Sequence, residues 1–106
     1  MTKTELALIL ANHREWLADP TKGCRANFSG ANLRGVDFRK ANLPWANFRG
    51  ANLCLTDFRD SDLRDSDFGK ANFYLADFRG ADLRGAIFSD SDLRKATLNK
   101  LTLLDR

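Results

Sequence analysis

The sequence predicts an all-β solenoid, built from four-sided coils behind a single N-terminal helix. Three observations lead to this fold class. A five-residue repeat runs without interruption over residues 26–105, its apolar positions recur at alternating intervals of two and three residues, and only residues 2–18 carry a helical pattern. We therefore expect a capping helix and linker at 1–25 and a β-helix of about four coils at 26–106.

The repeat places Phe or Leu at the centre of every five-residue unit, as at Phe28, Leu33 and Phe38, and all eight phenylalanines occupy centres. A small or apolar residue, most often Ala, comes two positions earlier. A helix of period 3.6 loses this register, and a straight strand of period 2 turns its apolar face over at each unit. A short extended step followed by a corner fits the pattern, so the chain bends every five residues into a coil.

The residues between centres are typical of a tight turn. Pro44 stands at a first central position, where a fixed φ is favoured. The second central position of a type II turn needs a positive φ, and glycine occupies it in five units: Gly30, Gly35, Gly50, Gly80 and Gly85. Asn or Asp precedes most centres, where its side chain can accept hydrogen bonds from the nearby backbone.

The number of sides follows from how the centres stack. A three-sided coil would stack residues fifteen apart and mix Phe with Leu, whereas a period of twenty sorts them, for example into Phe28, Phe48, Phe68, Phe88 and into Leu43, Leu63, Leu83, Leu103. A period of ten also sorts them but leaves no interior for Phe. We predict four sides, with coils about 4.8 Å apart, and an irregular final half coil because units 96–100 and 101–105 depart from the pattern.

These units, of the form A(N/D)(L/F)xx, resemble those of the pentapeptide-repeat proteins. The resemblance implies a right-handed quadrilateral β-helix, and the handedness comes from it alone. It also implies that longer bacterial relatives dimerise through the C-terminal end and that some members act as DNA-shaped decoys for gyrase.

Both ends of such a stack expose an apolar cross-section that needs a cover. Thr2 and Glu5 form a capping-box pattern, and Leu6, Ile9, Leu10, Trp16 and Leu17 share one helical face with His13. We expect this helix to lie over Phe28 and Leu33, with His13 at the boundary of the packing. A ligand role for His13 is the alternative.

The C-terminal end has no second helix, yet it is apolar. Its candidate interface residues are Leu98, Leu101, Leu103 and Leu104. An uncovered β-stack invites pairing with another copy, so we expect a twofold C-terminal homodimer. A frayed, monomeric terminus is the alternative.

Composition narrows the function classes. Two Cys in 106 residues exclude a disulfide framework, and no apolar run approaches the roughly 20 residues of a membrane span. No signal peptide is recognisable, so we expect a soluble cytoplasmic protein with reduced thiols. One His provides neither a catalytic pair nor zinc-ligand spacing. We therefore predict no enzyme activity, no cofactor and no metal.

Function then lies on the outer surface. Aspartates precede arginines by two residues on two walls, and these opposite charges mostly offset one another. We do not expect nucleic-acid binding, since each Arg of these two walls has an acidic neighbour two residues away. A gyrase-decoy function is the alternative, disfavoured because the net charge is +3 and the chain is short.

One other wall has apolar corners, which predict contact with an unidentified protein partner. Cys54 stacks under Tyr74 and Leu55 under Leu75, and Trp45 is a second exposed aromatic at another corner. Isolated corner hydrophobes with no partner are the alternative. Cys24 and Cys54 fall on opposite walls, so we expect no disulfide between them.

Overall fold

The computed structural model describes residues 1–105. The N-terminal helix, α1, spans Lys3–Ala18. The Glu5 amide donates to Thr2 Oγ1 (3.0 Å) and the Thr2 amide donates to Glu5 Oε1 (3.3 Å), so the predicted capping box is present. Leu6, Ile9 and Leu10 pack against the core of the coil stack. No helix within residues 1–105 combines the length and apolar character needed to cross a membrane.

The coils are held together by single-residue parallel β-bridges rather than by extended strands. The bridges join residues twenty apart, for example Asn27 with Asn47 and Asn47 with Asp67. Each side of a coil therefore stacks directly on the same side of the next, and four units complete one turn. This register is the one that sorts the Phe and Leu centres into separate columns.

A tight turn closes each corner of the coil. The Ala31 amide donates to the Phe28 carbonyl (3.0 Å), and the same bond recurs at successive corners. Gly30, at the second central position, has a φ of 67°, while Ser29 before it has no positive φ, as a type II turn requires. The prediction from the glycines is confirmed. Eight non-glycine residues adopt the same backbone at this position: Lys40, Trp45, Leu55, Asp60, Asp65, Lys70, Leu75 and Asp90.

Two columns of stacked phenyl rings fill the interior. Phe48 lies 4.9 Å from Phe68 at an interplanar angle of 6°, and Phe58 lies 5.0 Å from Phe78 at 1°. The two columns meet edge to face, as between Phe48 and Phe58 at 89°. Both arrangements are favourable for aromatic pairs. All four rings are buried, so the interior is a packed core without a channel.

Serine and threonine replace alanine at some buried positions without leaving polar atoms unpaired. Thr56 Oγ1 donates to the Leu33 carbonyl (2.8 Å), and Ser66 Oγ donates to the Leu43 carbonyl (2.8 Å). These bonds join neighbouring coils. Among residues 1–105, no buried side-chain nitrogen or oxygen lacks a hydrogen-bond partner.

The last units depart from the regular coil, but the departure begins in unit 91–95, one unit before the two that the sequence predicts to be irregular. A short 3₁₀ helix, Leu93–Lys95, stands where a bridge from Asn72 would otherwise form. The final bridge then joins Asp82 to Leu103, which is twenty-one residues away rather than twenty. One extra residue has entered the turn that is closed by the Thr102 amide and the Asn99 carbonyl (3.0 Å).

That insertion corrects the prediction for Leu103. The twenty-residue column places Leu103 at a unit centre, above Leu83. Instead, the Leu83 amide donates to the Leu103 carbonyl (2.8 Å), a role that regular coils give to the residue before the centre. Leu104 is therefore the residue that borders the hollow next to Leu83. The physical reason is local turn formation, which a fixed period does not anticipate.

Candidate protein-contact surface

Ion pairs cover the wall that contains Asp57 and Asp77. Arg59 donates to Asp57 through Nε (3.0 Å) and Nη2 (2.8 Å), and Arg79 binds Asp77 in the same two-pronged way. The hydrogen bonds from these arginines lower the pKa of both carboxyls. At the exposed start of this column, hydrogen bonds from Arg39 lower the pKa of Asp37 to about 2.

The same arginines link neighbouring coils. Arg39 Nε lies 3.7 Å from Asp57 Oδ2, and Arg59 Nε lies 3.7 Å from Asp77 Oδ2. Each carboxylate in the middle of the column therefore has a guanidinium on both sides. Since these cations are already committed to carboxylates of the same chain, this wall offers little free charge to a partner.

The corner that ends units 51–55 and 71–75 is different because it is apolar. Leu55, Tyr74 and Leu75 are exposed by 46%, 57% and 50%. We name these three residues the corner patch. The Leu55 amide donates to the Tyr74 carbonyl (3.0 Å), so the patch spans two adjacent coils.

Leu55 and Leu75 adopt a backbone that bulky residues rarely take. Their φ values are 59° and 57°, in the left-handed region that costs an L-residue about 1–2 kcal/mol. Gly35 occupies the equivalent position one coil earlier, with a φ of 71°, and a Cβ added there would meet nothing within 4 Å. Neither the turn nor the core therefore requires leucine at these two positions.

Cys54 does not belong to this exposed surface, contrary to the sequence prediction. It is buried, with 7% exposure. Its column places it between Arg34 and Tyr74, whose longer side chains flank a short thiol on both sides. Cys24 is exposed, and both cysteines are free, as predicted.

Trp45 is exposed but lies apart from the corner patch. It follows the side centred on Leu43, whereas Leu55 follows the side centred on Leu53. In a four-sided coil these corners are two sides apart and therefore diagonally opposite. The sequence pattern already assigns Trp45 to another corner. The structure therefore makes it a contact candidate separate from Leu55, because corners that are close along the chain point in opposite directions.

The wall that leads to the corner patch is lined by asparagines. Asn52 Nδ2 donates to Asn32 Oδ1 (3.3 Å), and the amides of Cys54 and Tyr74 donate to Asn52 Oδ1 and Asn72 Oδ1 (both 3.1 Å). The side-chain oxygens are thus engaged in holding the turns, and the Asn52 amide nitrogen links its side chain to the coil before it.

His13 is more than a boundary residue of the cap. It is fully buried, the Ala26 amide donates to its Nδ1 (2.8 Å), and its Nε2 lies 2.8 Å from the Pro44 carbonyl. Because Nδ1 accepts, Nε2 must carry the proton and donate to Pro44. Burial lowers the pKa of His13, and the positive charge of Arg25 acts in the same direction. With both nitrogens engaged, no lone pair is left for a ligand.

The C-terminal leucines form a separate apolar end. Leu98, Leu101, Leu103 and Leu104 are all exposed, as is Ile87 earlier in the same coil. Within the described part of the chain, no cluster of His, Cys, Asp or Glu is arranged to hold a metal ion.

This geometry defines a class, the β-helical repeat proteins whose solid interior leaves only side walls and ends for recognition. A family model for pentapeptide repeats matches residues 24–53, 41–80 and 61–99, with eight copies. The chain belongs to the pentapeptide-repeat family, and its fold is a right-handed β-helix.

Solved structures of the same fold support this assignment. QnrB1, described as a plasmid-mediated fluoroquinolone resistance protein, is 30% identical over 76% of this chain, with a TM-score of 0.66. This chain spans only 37% of QnrB1. The pentapeptide repeat protein alr5209 from Nostoc PCC 7120 is 22% identical, with a TM-score of 0.58, and the match covers 91% of this chain and 84% of that one. No curated protein matches the sequence.

Proposed function

We propose that this protein is a non-catalytic interaction module that binds an unidentified protein partner through the corner patch. The observation that carries the proposal is the exposure of Leu55 and Leu75 in a backbone conformation that disfavours them. These two leucines expose apolar surface to water and also strain the backbone, and both effects are unfavourable. A contact site accounts for leucine at these positions better than the needs of the turn do.

The solid interior supports a binding function rather than a catalytic one. Phe and Leu fill the coil centres, and the single His is fully engaged by Ala26 and Pro44. The charged walls pair their own acids and bases. Recognition by shape and apolar contact at a corner is the function that this arrangement favours.

A double substitution, Leu55→Gly/Leu75→Gly, tests the proposal. Glycine suits the left-handed backbone, so the variant removes both leucines of the patch without disturbing the fold. Lys40→Gly/Lys70→Gly is the matched control, because it makes the same backbone change at other corners, where φ is 59° and 58°. Affinity capture from the source cells should lose partners only with the leucine variant. An unchanged set of partners contradicts the proposal.

We also propose that the chain consists of a cap at 1–25 and a stack of about four coils at 26–106. Two such chains would form a homodimer through their C-terminal ends, in the cytoplasm. Support comes from the exposed leucines at 98, 101, 103 and 104, which extend the apolar core to an open end. Two copies that meet at this end would cover the leucines of both.

A second candidate function is modulation of a topoisomerase, the alternative that the family resemblance implies. The likeness to QnrB1, a fluoroquinolone resistance protein, favours it. The arginine-paired walls and the net charge of +3 do not resemble the acidic surface of a DNA mimic. A gyrase supercoiling assay with and without a fluoroquinolone decides the matter, because an effect at stoichiometric protein would establish this function.

A further inference from the structure

We propose that the segment bound at the corner patch is an acidic peptide, with apolar side chains next to carboxylates. This inference rests on the proposed function and names the chemistry of its partner. It is carried by the charges around the patch, by the asparagine wall that leads to it and by the spacing of its two leucines.

The wall beneath the corner patch has no acidic residue in its first three coils. Residues 31–35, 51–55 and 71–75 contain neither Asp nor Glu. The next wall, around Asp57 and Asp77, contains acids, but arginines bind them in two-pronged pairs. In the fourth coil, Asp92 is paired with Arg94, and Asp90 lines the same hollow as Asn72 and Lys95. A carboxylate that approaches the first three coils from the asparagine side therefore meets no acidic side chain on that wall.

Basic side chains lie at both ends of the patch columns. Arg34 stands one coil before Cys54, and Arg94 and Lys95 stand one coil after Tyr74 and Leu75. Within residues 1–105, the side chains of Arg34 and Lys95 make no ion pair, while Arg94 is paired with Asp92. Arg34 and Lys95 thus bracket the apolar surface, Arg34 without an acidic side chain in the first three coils of its wall and Lys95 beside Asp90 and Asp92. Opposite charge on a partner would steer it into register.

The asparagine wall adds hydrogen-bond donors of the right kind. Each carboxamide oxygen of Asn32, Asn52 and Asn72 accepts a bond from the turn that follows it. In the described part of the chain, Asn72 Nδ2 donates to no protein atom, and its residue is exposed. Amide donors bind carboxylates and peptide carbonyls, and they do not bind the apolar tails of lipids.

The patch is also small enough to suit a peptide. Leu55 and Leu75 lie on adjacent coils, about 4.8 Å apart along the stack, with Tyr74 beside them. That spacing accommodates one or two apolar side chains of a partner. The basic residues lie one coil beyond the patch on each side. There they face the peptide residues that flank its apolar side chains.

Selection from a random displayed-peptide library on the full chain tests the inference. We expect the selected peptides to combine Leu, Ile or Phe with neighbouring Asp or Glu. Their affinity should fall about tenfold or more on Arg34→Glu/Lys95→Glu and should weaken as salt concentration rises. The matched control, Lys40→Glu/Lys70→Glu, reverses two positive charges at other corners and should leave the affinity unchanged.

The outcomes separate this inference from the proposed function. Peptides that depend on Leu55 and Leu75 but carry neutral or basic flanks would overturn the acidic partner and leave the contact site standing. Peptides that bind the Leu55→Gly/Leu75→Gly variant equally well, or a selection that yields none, would overturn both. Binding to anionic vesicles or to duplex DNA that is lost in Arg34→Glu/Lys95→Glu would assign the surface to that ligand instead.

Discussion

His13 Nε2 lies 2.8 Å from the carbonyl oxygen of Pro44. In later coils, the carbonyl at this place accepts a backbone amide from the coil before it. One coil later, the Arg64 carbonyl accepts the Trp45 amide (2.8 Å). Pro44 occupies the same place in the first coil, but no coil precedes it. The imidazole thus satisfies an edge carbonyl of the stack, and its other nitrogen accepts the Ala26 amide. α1 thereby closes the open edge by hydrogen bonding as well as by apolar cover.

Replacing His13 should destabilise the protein strongly. His13→Ala leaves the Ala26 amide and the Pro44 carbonyl without partners in a buried place, and each costs about 1–3 kcal/mol. We expect the free energy of unfolding in urea to fall by about 2–5 kcal/mol. Arg14→Ala, on the exposed side of α1, should change it by less than about 0.5 kcal/mol. Equal effects of both substitutions would contradict the bridging role.

Stability should decline in acid in two separable stages. Burial lowers the pKa of folded His13, so the unfolded chain binds the extra proton and the free energy of unfolding falls as pH drops below about 6.5. The slope is at most about 1.4 kcal/mol per pH unit. The arginine-paired carboxyls, whose folded pKa is also lowered, contribute stability that is present above about pH 4 and lost below it.

The pH stages have different controls. His13→Gln should remove the decline between pH 7 and pH 5 and leave the lower stage intact, when unfolding in urea is measured at each pH. Arg59→Gln should weaken the lower stage alone, because it removes the hydrogen bonds that hold the pKa of Asp57 down. A His13→Gln variant that keeps the upper stage would show that another group titrates there.

Gly23 and Gly30 separate backbone strain from lack of space. Both have a positive φ, 63° and 67°. A Cβ on Gly30 meets nothing within 4 Å, whereas a Cβ on Gly23 would collide with the carbonyl oxygen of Asn12. Gly30→Ala should cost about 1–2 kcal/mol, and Gly23→Ala about 3 kcal/mol or more. Thermal unfolding of the two variants measures the difference, and equal costs would refute the close approach of the linker to α1.

The corner patch should be expendable for folding. Leu55→Gly/Leu75→Gly relieves about 1–2 kcal/mol of backbone strain per site and loses about 0.5–1 kcal/mol through the greater chain entropy of the unfolded state. The net change in unfolding free energy should be a gain of about 0–1.5 kcal/mol per site. Phe58→Ala, in the adjacent core, should cost about 3–5 kcal/mol. A large loss in the leucine variant would mean that the patch serves the fold.

The C-terminal dimer is tested with two equally exposed leucines. Leu101 is 63% exposed at the open end and Leu8 is 61% exposed on α1. Leu101→Asp should convert a dimer into a monomer in light scattering at several concentrations, and Leu8→Asp should leave the mass unchanged. A monomeric parent protein, or a dimer that survives Leu101→Asp, would contradict the proposed end-to-end contact.

Much of the fold was predictable because the pattern repeats. Sixteen units repeat one packing problem, so the inward position of Phe48 and the turn at Gly30 follow from spacing alone. The corner patch was predictable only in part. A five-residue spacing names Leu55 and Tyr74 as corner residues, but the depth of Cys54 depends on the size of its stacked neighbours.

The sequence by itself determined the period of the coil, the class of residue inside it and the cap at its start, because each depends on contacts that recur at fixed spacing. Only the tertiary structure decided that His13 joins Ala26 to Pro44, that Cys54 is buried and that Leu103 leaves its column. These facts depend on which residues meet across the fold at an edge, between stacked coils or after an inserted residue, and no local pattern records them.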